Sequence, residues 1–144
     1  MIIREAETKD ASALSNLLGQ LGYPTLDGSS LEKIKAHSKE GYKMLVLEVD
    51  QKVEGFISFH WYISPHLPGP VGRITAFCMD EQSRGKGLGT ALLNAAEQFF
   101  KKIDCFKIEV TSNLKRTRTH QYYANLGYKE TSKHFVKFLK TSDI

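Results

Sequence analysis

The run SRGKGLGTALLNAAEQFF, residues 83–100, constrains this chain more than any other feature. Gly85, Gly87 and Gly89 alternate with Lys86 and Leu88, and Arg84 stands just before them. Leu88, Ala91, Leu92, Ala95, Ala96 and Phe99 then recur at helical spacing. That periodicity predicts a helix starting near Gly87 that lays one long apolar stripe on a core. Ahead of it, residues 73–79 read as a strand with Ile74, Phe77 and Met79 among its apolar side chains. A strand, a bare loop and a helix in that order make an anion site. The first turn of a helix has N–H groups without helical acceptors and carries the positive end of the dipole. Glycines let an anion approach the backbone closely, and Arg84 and Lys86 add charge at the mouth. The loop is not a P-loop, because Lys86 is followed by Gly87 and no Lys-Ser or Lys-Thr follows the glycines. A dinucleotide fingerprint fails as well, since Thr90 stands where its third glycine belongs.

The flanking sequence supplies a sheet. Residues 2–6 read as a short strand, and Thr8 or Asp10 then caps a helix with Ala11, Leu14, Leu17 and Leu18 on one face. Glycine and proline mark residues 22–30 as a loop. Within it, Ser29 and Glu32 form a capping box that opens a short helix through Leu31 and Ile34. Two β-rich runs, 43–49 and 53–62, are joined by Asp50-Gln51-Lys52 as a tight hairpin. Residues 64–72 carry three of the four prolines and form an irregular loop. Beyond the long helix, residues 106–111 read as a strand and 116–126 as a helix stopped by Gly127. Residues 128–139 read as one or two closing strands. The order predicts an α/β (α+β) sandwich with a mixed sheet, in one domain spanning residues 1–144.

Charge and cysteine usage narrow the partners. A net charge of +4 suits a small anionic ligand, and the basic residues lack the density of a nucleic-acid binder, so no nucleic-acid partner is expected. No apolar run approaches the ~20 residues of a membrane span. The N-terminal MIIREAETKD has no signal-peptide core. The expectation is a cytoplasmic protein with no membrane partner. Cys78 and Cys105 sit apart in apolar runs without a CxxC pattern, which predicts two buried thiols and no metal site.

RGKGLG, residues 84–89, resembles the Gln/Arg-x-x-Gly-x-Gly/Ala motif of the GNAT N-acetyltransferases. NLKRTRTHQYYANLGY, residues 113–128, resembles that family's Asn after the fifth strand, followed by a helix ending in Phe/Tyr-Tyr-x-x-x-Gly-Phe/Tyr. The similarity extends over residues 1–144 through the order of elements. The last third is most similar to the aminoalkylphosphonate acetyltransferases. The fold this implies is a GNAT-like mixed, mostly antiparallel central sheet flanked by about four helices. The activity it implies is acetyl-CoA-dependent transfer of an acetyl group to a primary amine, by direct attack on the thioester.

The resemblance also assigns residues. It sets the coenzyme's pyrophosphate on Arg84, Gly85, Lys86, Gly87, Leu88, Gly89 and Thr90. It runs the pantetheine arm along the backbone of Phe77, Cys78 and Met79, whose N–H groups also serve the thioester carbonyl as an oxyanion hole. Asn113 matches the residue that bonds the coenzyme arm. Tyr123 matches the tyrosine facing the coenzyme sulfur, where a phenol near pKa ~10 can protonate a thiolate whose thiol sits at about 8.5. Its neighbours Tyr122 and Tyr128 read as core. Lys115, Arg116 and Arg118 begin a helix with the charge that its dipole disfavours, which fits either a nearby phosphate or a solvated face.

The general base is missing from its usual place. Many relatives carry a Glu on the fourth strand near the start of GRITAFCMD, where this chain has Arg73 and Ala76. His60, His66 and His120 are the substitutes that titrate near neutrality. The loops 22–30 and 64–72 frame an acceptor pocket with Tyr23, Trp61, Tyr62, His66 and Arg73 as its wall. Arg73 in place of a carboxylate points to an acceptor bearing a negative group, or else pairs with an acid elsewhere. A small-molecule amine is the expected partner, and a homodimer through the C-terminal strands follows from the resemblance alone. Two other readings stay open here: acetylation of a protein N-terminus or Lys, and a non-catalytic acyl-CoA-binding module.

Overall fold

The computed structural model describes residues 1–111 and 117–140. The chain forms two compact units, Met1–Val110 and Thr111–Ile144. The first unit is built on five strands: β1 (Ile2–Glu5), β2 (Tyr42–Val49), β3 (Lys52–Tyr62), β4 (Val71–Met79) and β5 (Lys107–Val110). They lie side by side in chain order. The first three pairings are antiparallel and β4–β5 is parallel. The β2–β3 hairpin turns on Asp50 and Gln51, both at positive φ, the geometry that matches the twist of the flanking strands.

Three helices complete this unit: α1 (Ala11–Leu21), α2 (Asp27–Ala36) and α3 (Leu88–Lys102). Leu14 and Leu17 of α1 and Ile34 of α2 pack with Met44, Val46, Phe56 and Cys78 of the sheet. Burying such a side chain contributes about 1.5–3 kcal/mol, so this cluster fixes which sheet face the two helices cover. The opposite face receives α3, whose buried side is wider than the sequence stripe because Leu93 and Phe100 join Leu92 and Ala96. Phe100 stacks edge-on to Phe59 and leaves no room for a side chain at Gly72.

Some boundaries move. Helix α2 begins at Asp27, two residues ahead of the Ser29–Glu32 capping box. Asp27 complements the dipole in the first turn, and Ser30 is buried inside the helix, its hydroxyl 2.7 Å from that of Ser15. The loop predicted over 22–30 therefore shortens to 22–26. The turn before α1 is a short 3-10 segment, Thr8–Asp10. The Asp10 carboxylate accepts from the Glu7 N–H at 2.7 Å and pairs with Arg4 at 2.8 Å. Of the two thiols, Cys78 is buried and Cys105 only half-buried.

The second unit carries α4 (Thr117–Asn125). Gly127 stops it at positive φ, as the sequence predicts, and the Gly127 and Tyr128 N–H groups donate to the carbonyls of Ala124 and Tyr123. The closing strands predicted over 128–139 do not form among the described residues. Composition alone does not make a strand; a ladder partner does. Phe135 and Leu139 stand 87% and 90% exposed, so this stretch carries the β pattern without the burial that would fix it. No helix among the described residues is long and apolar enough to cross a membrane.

Candidate active site

The glycine loop is a backbone structure held from behind. After β4, a 3-10 turn (Glu81–Ser83) leads into residues 84–87 and α3. Gly85 and Gly87 have φ of +80° and +77°, and a Cβ added at either would meet nothing within 4 Å. Space is not what requires glycine there; the left-handed backbone is. At Gly89 the reason differs. A Cβ would come 3.2 Å from Cγ of Met79 and 3.4 Å from Cζ of Phe77, so the missing side chain seats the first turn of α3 against β4. The first intrahelical bond from Gly87 runs to the Ala91 N–H, and the first turn carries no acidic residue. Its positive end is thus not offset locally.

Much of the support comes from residues the sequence did not single out, Gln20, Glu54, Asp80 and Ser83. Asp80 is buried and accepts bonds from Nε2 of Gln20 at 3.1 Å and the Gln82 N–H at 3.0 Å. Those bonds, the Gln20 one first, hold its carboxyl below the usual range. Oε1 of Gln20 also accepts from the Glu81 N–H at 2.9 Å. The Ser83 hydroxyl donates to Glu54 of β3, and Nε of Arg84 donates to the Met79 carbonyl at 3.1 Å. The Asp80 side chain folding onto its own turn is the one local signal that could have flagged this network.

Strand β4 ends beside this loop. Its ladder with β5 stops at Ile74–Val110, so among the described residues Phe77, Cys78 and Met79 have β3 as their ladder partner. A bulge sits at that point: Ser58 pairs with Ala76 and Phe59 with Ile74, leaving Thr75 as the extra residue. Bulges bend a strand and raise its twist. The Thr75 hydroxyl pins this one, lying 2.8 Å from the Ser58 hydroxyl and donating to the Ser58 carbonyl at 3.1 Å.

The bulge has a second effect. In strict alternation Arg73 would share a face with Phe77 and Met79; past the bulge it shares one with Ala76 and Cys78. The register then aligns Tyr42, His60, Arg73 and Glu109 in one row across β2, β3, β4 and β5. This row lies on the α1–α2 face, beyond the end of α2. His60 stacks with Tyr42 and with Tyr62, ring centroids 5.6 and 5.7 Å away, and the His37 ring meets Tyr42 edge-on. Glu109 accepts from the Tyr62 hydroxyl at 2.7 Å and pairs with Arg73 at 3.6 Å and Lys107 at 3.3 Å. These partners, Tyr62 first, hold the Glu109 carboxyl down, and the same bond raises the Tyr62 phenol. Burial lowers the His60 imidazole, and the charges of Arg73 and His37 lower it further.

The five proposed wall residues divide accordingly. Tyr62 and Arg73 meet at the row. Trp61 points to the other face and packs on Phe99, their centroids 5.0 Å apart. It lines an open hollow of about 450 Å³ together with Tyr62, Glu40, Ile63, Pro70 and Ile103, so Tyr62 borders both the row and this hollow. Tyr23 follows the end of α1, and His66 lies in the 64–69 loop, 2.9 Å from the Ser64 hydroxyl. Arg73 is countered by Glu109, so its charge alone no longer points to an anionic acceptor. Asn113, Lys115 and Arg116 lie outside the described residues. In the second unit Tyr123 is buried, with Tyr122 and Tyr128 against it at 5.6 and 5.4 Å. Burial, with Tyr122 second, pushes its phenol up to about 12.

The model of the acetyltransferase (GNAT) family matches residues 11–128. The chain belongs to the GNAT family of acetyltransferases. It is an acyltransferase enzyme, and its five-stranded, mostly antiparallel sheet is the fold of its structural neighbours. The chain is 25% identical to the aminoalkylphosphonate N-acetyltransferase of Salmonella typhimurium, over 95% of this chain and 90% of that protein. It is 27% identical to the aminoglycoside N(6')-acetyltransferase type 1 of Stenotrophomonas maltophilia, over 91% and 88%. A GNAT family acetyltransferase from Staphylococcus aureus superposes with a TM-score of 0.81 at 26% identity, covering 96% of this chain and 98% of that one.

Proposed function

We propose that this GNAT acetyltransferase moves an acetyl group from acetyl-CoA to the primary amine of a small molecule. The observation that carries the reading is the end of β4 at Phe77, Cys78 and Met79, which leads through the Glu81–Ser83 turn into Gly85–Gly87 and the positive end of α3. The residues fit the coenzyme: Gly85 and Gly87 leave open space over the loop backbone, and Arg84 and Lys86 are exposed beside it. Arg84 through Thr90 would hold the pyrophosphate and the β4 backbone the pantetheine arm. The coenzyme supplies an activated thioester. The chain's own contribution is a set of fixed N–H donors, which stabilise charge without reorganising.

Tyr123 takes the role of donor toward the leaving sulfur. A phenol near 12 keeps its proton at neutral pH. Full transfer to a thiolate whose thiol lies near 8.5 is then uphill by roughly 3.5 units. Tyr123 therefore works by hydrogen-bonding the sulfur as charge develops there, a smaller effect than free proton transfer. The family match spans the boundary between the two compact units, which supports reading both as one N-acetyltransferase domain. Relatives named for aminoalkylphosphonates and aminoglycosides support a small-molecule acceptor. Calorimetry with acetyl-CoA, followed by thiol release over a panel of small amines and an N-terminal peptide, tests the reading. Binding and release with small amines are expected; no heat with acetyl-CoA would overturn it, and release with the peptide alone would reassign the acceptor.

A further inference from the structure

We infer that His60 is the proton acceptor for the incoming amine, standing in from β3 for the carboxylate that β4 lacks. This rests on the acetyl-CoA reading of the β4 edge. The argument is one of placement. Arg73 occupies the fourth-strand position where the resemblance expects the basic carboxylate, and His60 is its direct cross-strand partner. Phe77, at the proposed carbonyl end of the coenzyme, pairs with Ile57, three residues before His60 on β3. At ~3.3 Å per residue the two positions lie about 10 Å apart along the strand. That span accommodates an acetyl group, the attacking nitrogen and one bridging water.

The alternatives near this point are engaged or elsewhere. Glu109 is tied up by Tyr62, Arg73 and Lys107. His37 bonds the Lys33 carbonyl at 2.7 Å, and His66 sits with Ser64 in the loop. The His60 ring has two near-parallel aromatic neighbours, Tyr42 and Tyr62, which restrict its plane. The groups facing it are Tyr42 from β2, His37 from the end of α2, Tyr62 from its own strand, and Arg73 from β4 backed by Glu109 from β5. Burial, with Arg73 and His37 after it, disfavours the imidazolium, so the imidazole is held below its ordinary value; at physiological pH it is neutral, with a ring nitrogen able to accept a proton that it then passes to solvent.

The step balances. The acceptor's ammonium gives one proton to the imidazole, directly or through a water, and its freed lone pair attacks the thioester carbonyl carbon. The C–N bond forms and the C–S bond breaks, its electron pair leaving on sulfur. The extra proton on the new amide nitrogen passes to that sulfur, and the imidazolium releases its proton to solvent.

The test compares the wild type with His60→Gln. In the wild type, kcat/KM falls as pH drops through the His60 titration, below 6.5, because only the neutral ring accepts a proton. In His60→Gln, kcat/KM near neutrality is expected to fall by about 10²–10⁴-fold, and the acidic limb to vanish. The acetyl-CoA dissociation constant and the thermal midpoint should hold, and added imidazole should restore part of the rate. An NMR titration of the wild-type His60 ring, assigned by its loss in the variant, should give a midpoint below 6.5 that coincides with the limb. Wild-type turnover and limb in His60→Gln, or a ring midpoint that does not match the limb, would overturn the inference while leaving the acetyltransferase reading intact. A wild type that binds no acetyl-CoA overturns both.

Discussion

The glycine loop and the row at the end of the sheet make an instructive pair. Both sit on β4, yet they are built on opposite principles. The loop is local: Gly85, Gly87 and Gly89 lie within five residues, and each is required by its own backbone or by the strand beneath it. The row is distributed: Tyr42, His60, Arg73 and Glu109 come from four strands and meet only through register. A coenzyme common to a family can be held by backbone, which barely depends on side-chain identity. Proton transfer and acceptor recognition need side chains, and these can move from strand to strand while the sheet stays the same.

The largest effect expected outside the row is at Tyr123. Tyr123→Phe should lower kcat by between about ten- and a hundredfold, the worth of a hydrogen bond to a charged atom, with the acetyl-CoA dissociation constant unchanged. Equal loss of binding and turnover would place Tyr123 in the coenzyme's cradle instead. Next comes the loop itself. Gly87→Val forces a β-branched residue into a left-handed conformation that disfavours L-residues by roughly 1–2 kcal/mol. Calorimetry should show acetyl-CoA binding weakened about tenfold, while the row's pH limb stays where it is. A shifted limb would mean that the two regions are coupled.

Glu109→Gln addresses the row alone. It removes the charge that counters Arg73, so the His60 ring should titrate lower and the acidic limb of kcat/KM move to lower pH. The acceptor KM should rise by about threefold, the scale of one polar contact, with the acetyl-CoA KM unaltered. The smallest effect is expected behind the loop. Gln20→Ala removes the bonds to Asp80 and Glu81, and urea unfolding should register a loss of about 1 kcal/mol. If acetyl-CoA binding weakens by more than that, the Gln20 network shapes the loop as well as stabilising it.

That Gly85 and Gly87 are required by a left-handed backbone came only with the structure. Much of the rest was legible from residues 83–100 alone, because helix periodicity and helix-end charge are local physics. The same holds for the stop of α4 at Gly127 and for the turn at Asp50 and Gln51. The closing strands predicted over 128–139 fail for the converse reason: apolar residues such as Phe135, Val136, Phe138 and Leu139 offer a face to bury, and burial is decided by what lies opposite. The support from Gln20 and Glu54 was invisible because both residues are far from the loop in sequence and unremarkable in type.

The sequence by itself determined the place of the glycine turn, the number and order of the main helices, and the family. Tertiary structure alone decided that one surplus residue, Thr75, turns Arg73 to the other face of β4 and lines it up with His60 and Glu109. Strand alternation has a period of two, so a single inserted residue inverts every side chain beyond it, and no local propensity marks where the insertion falls.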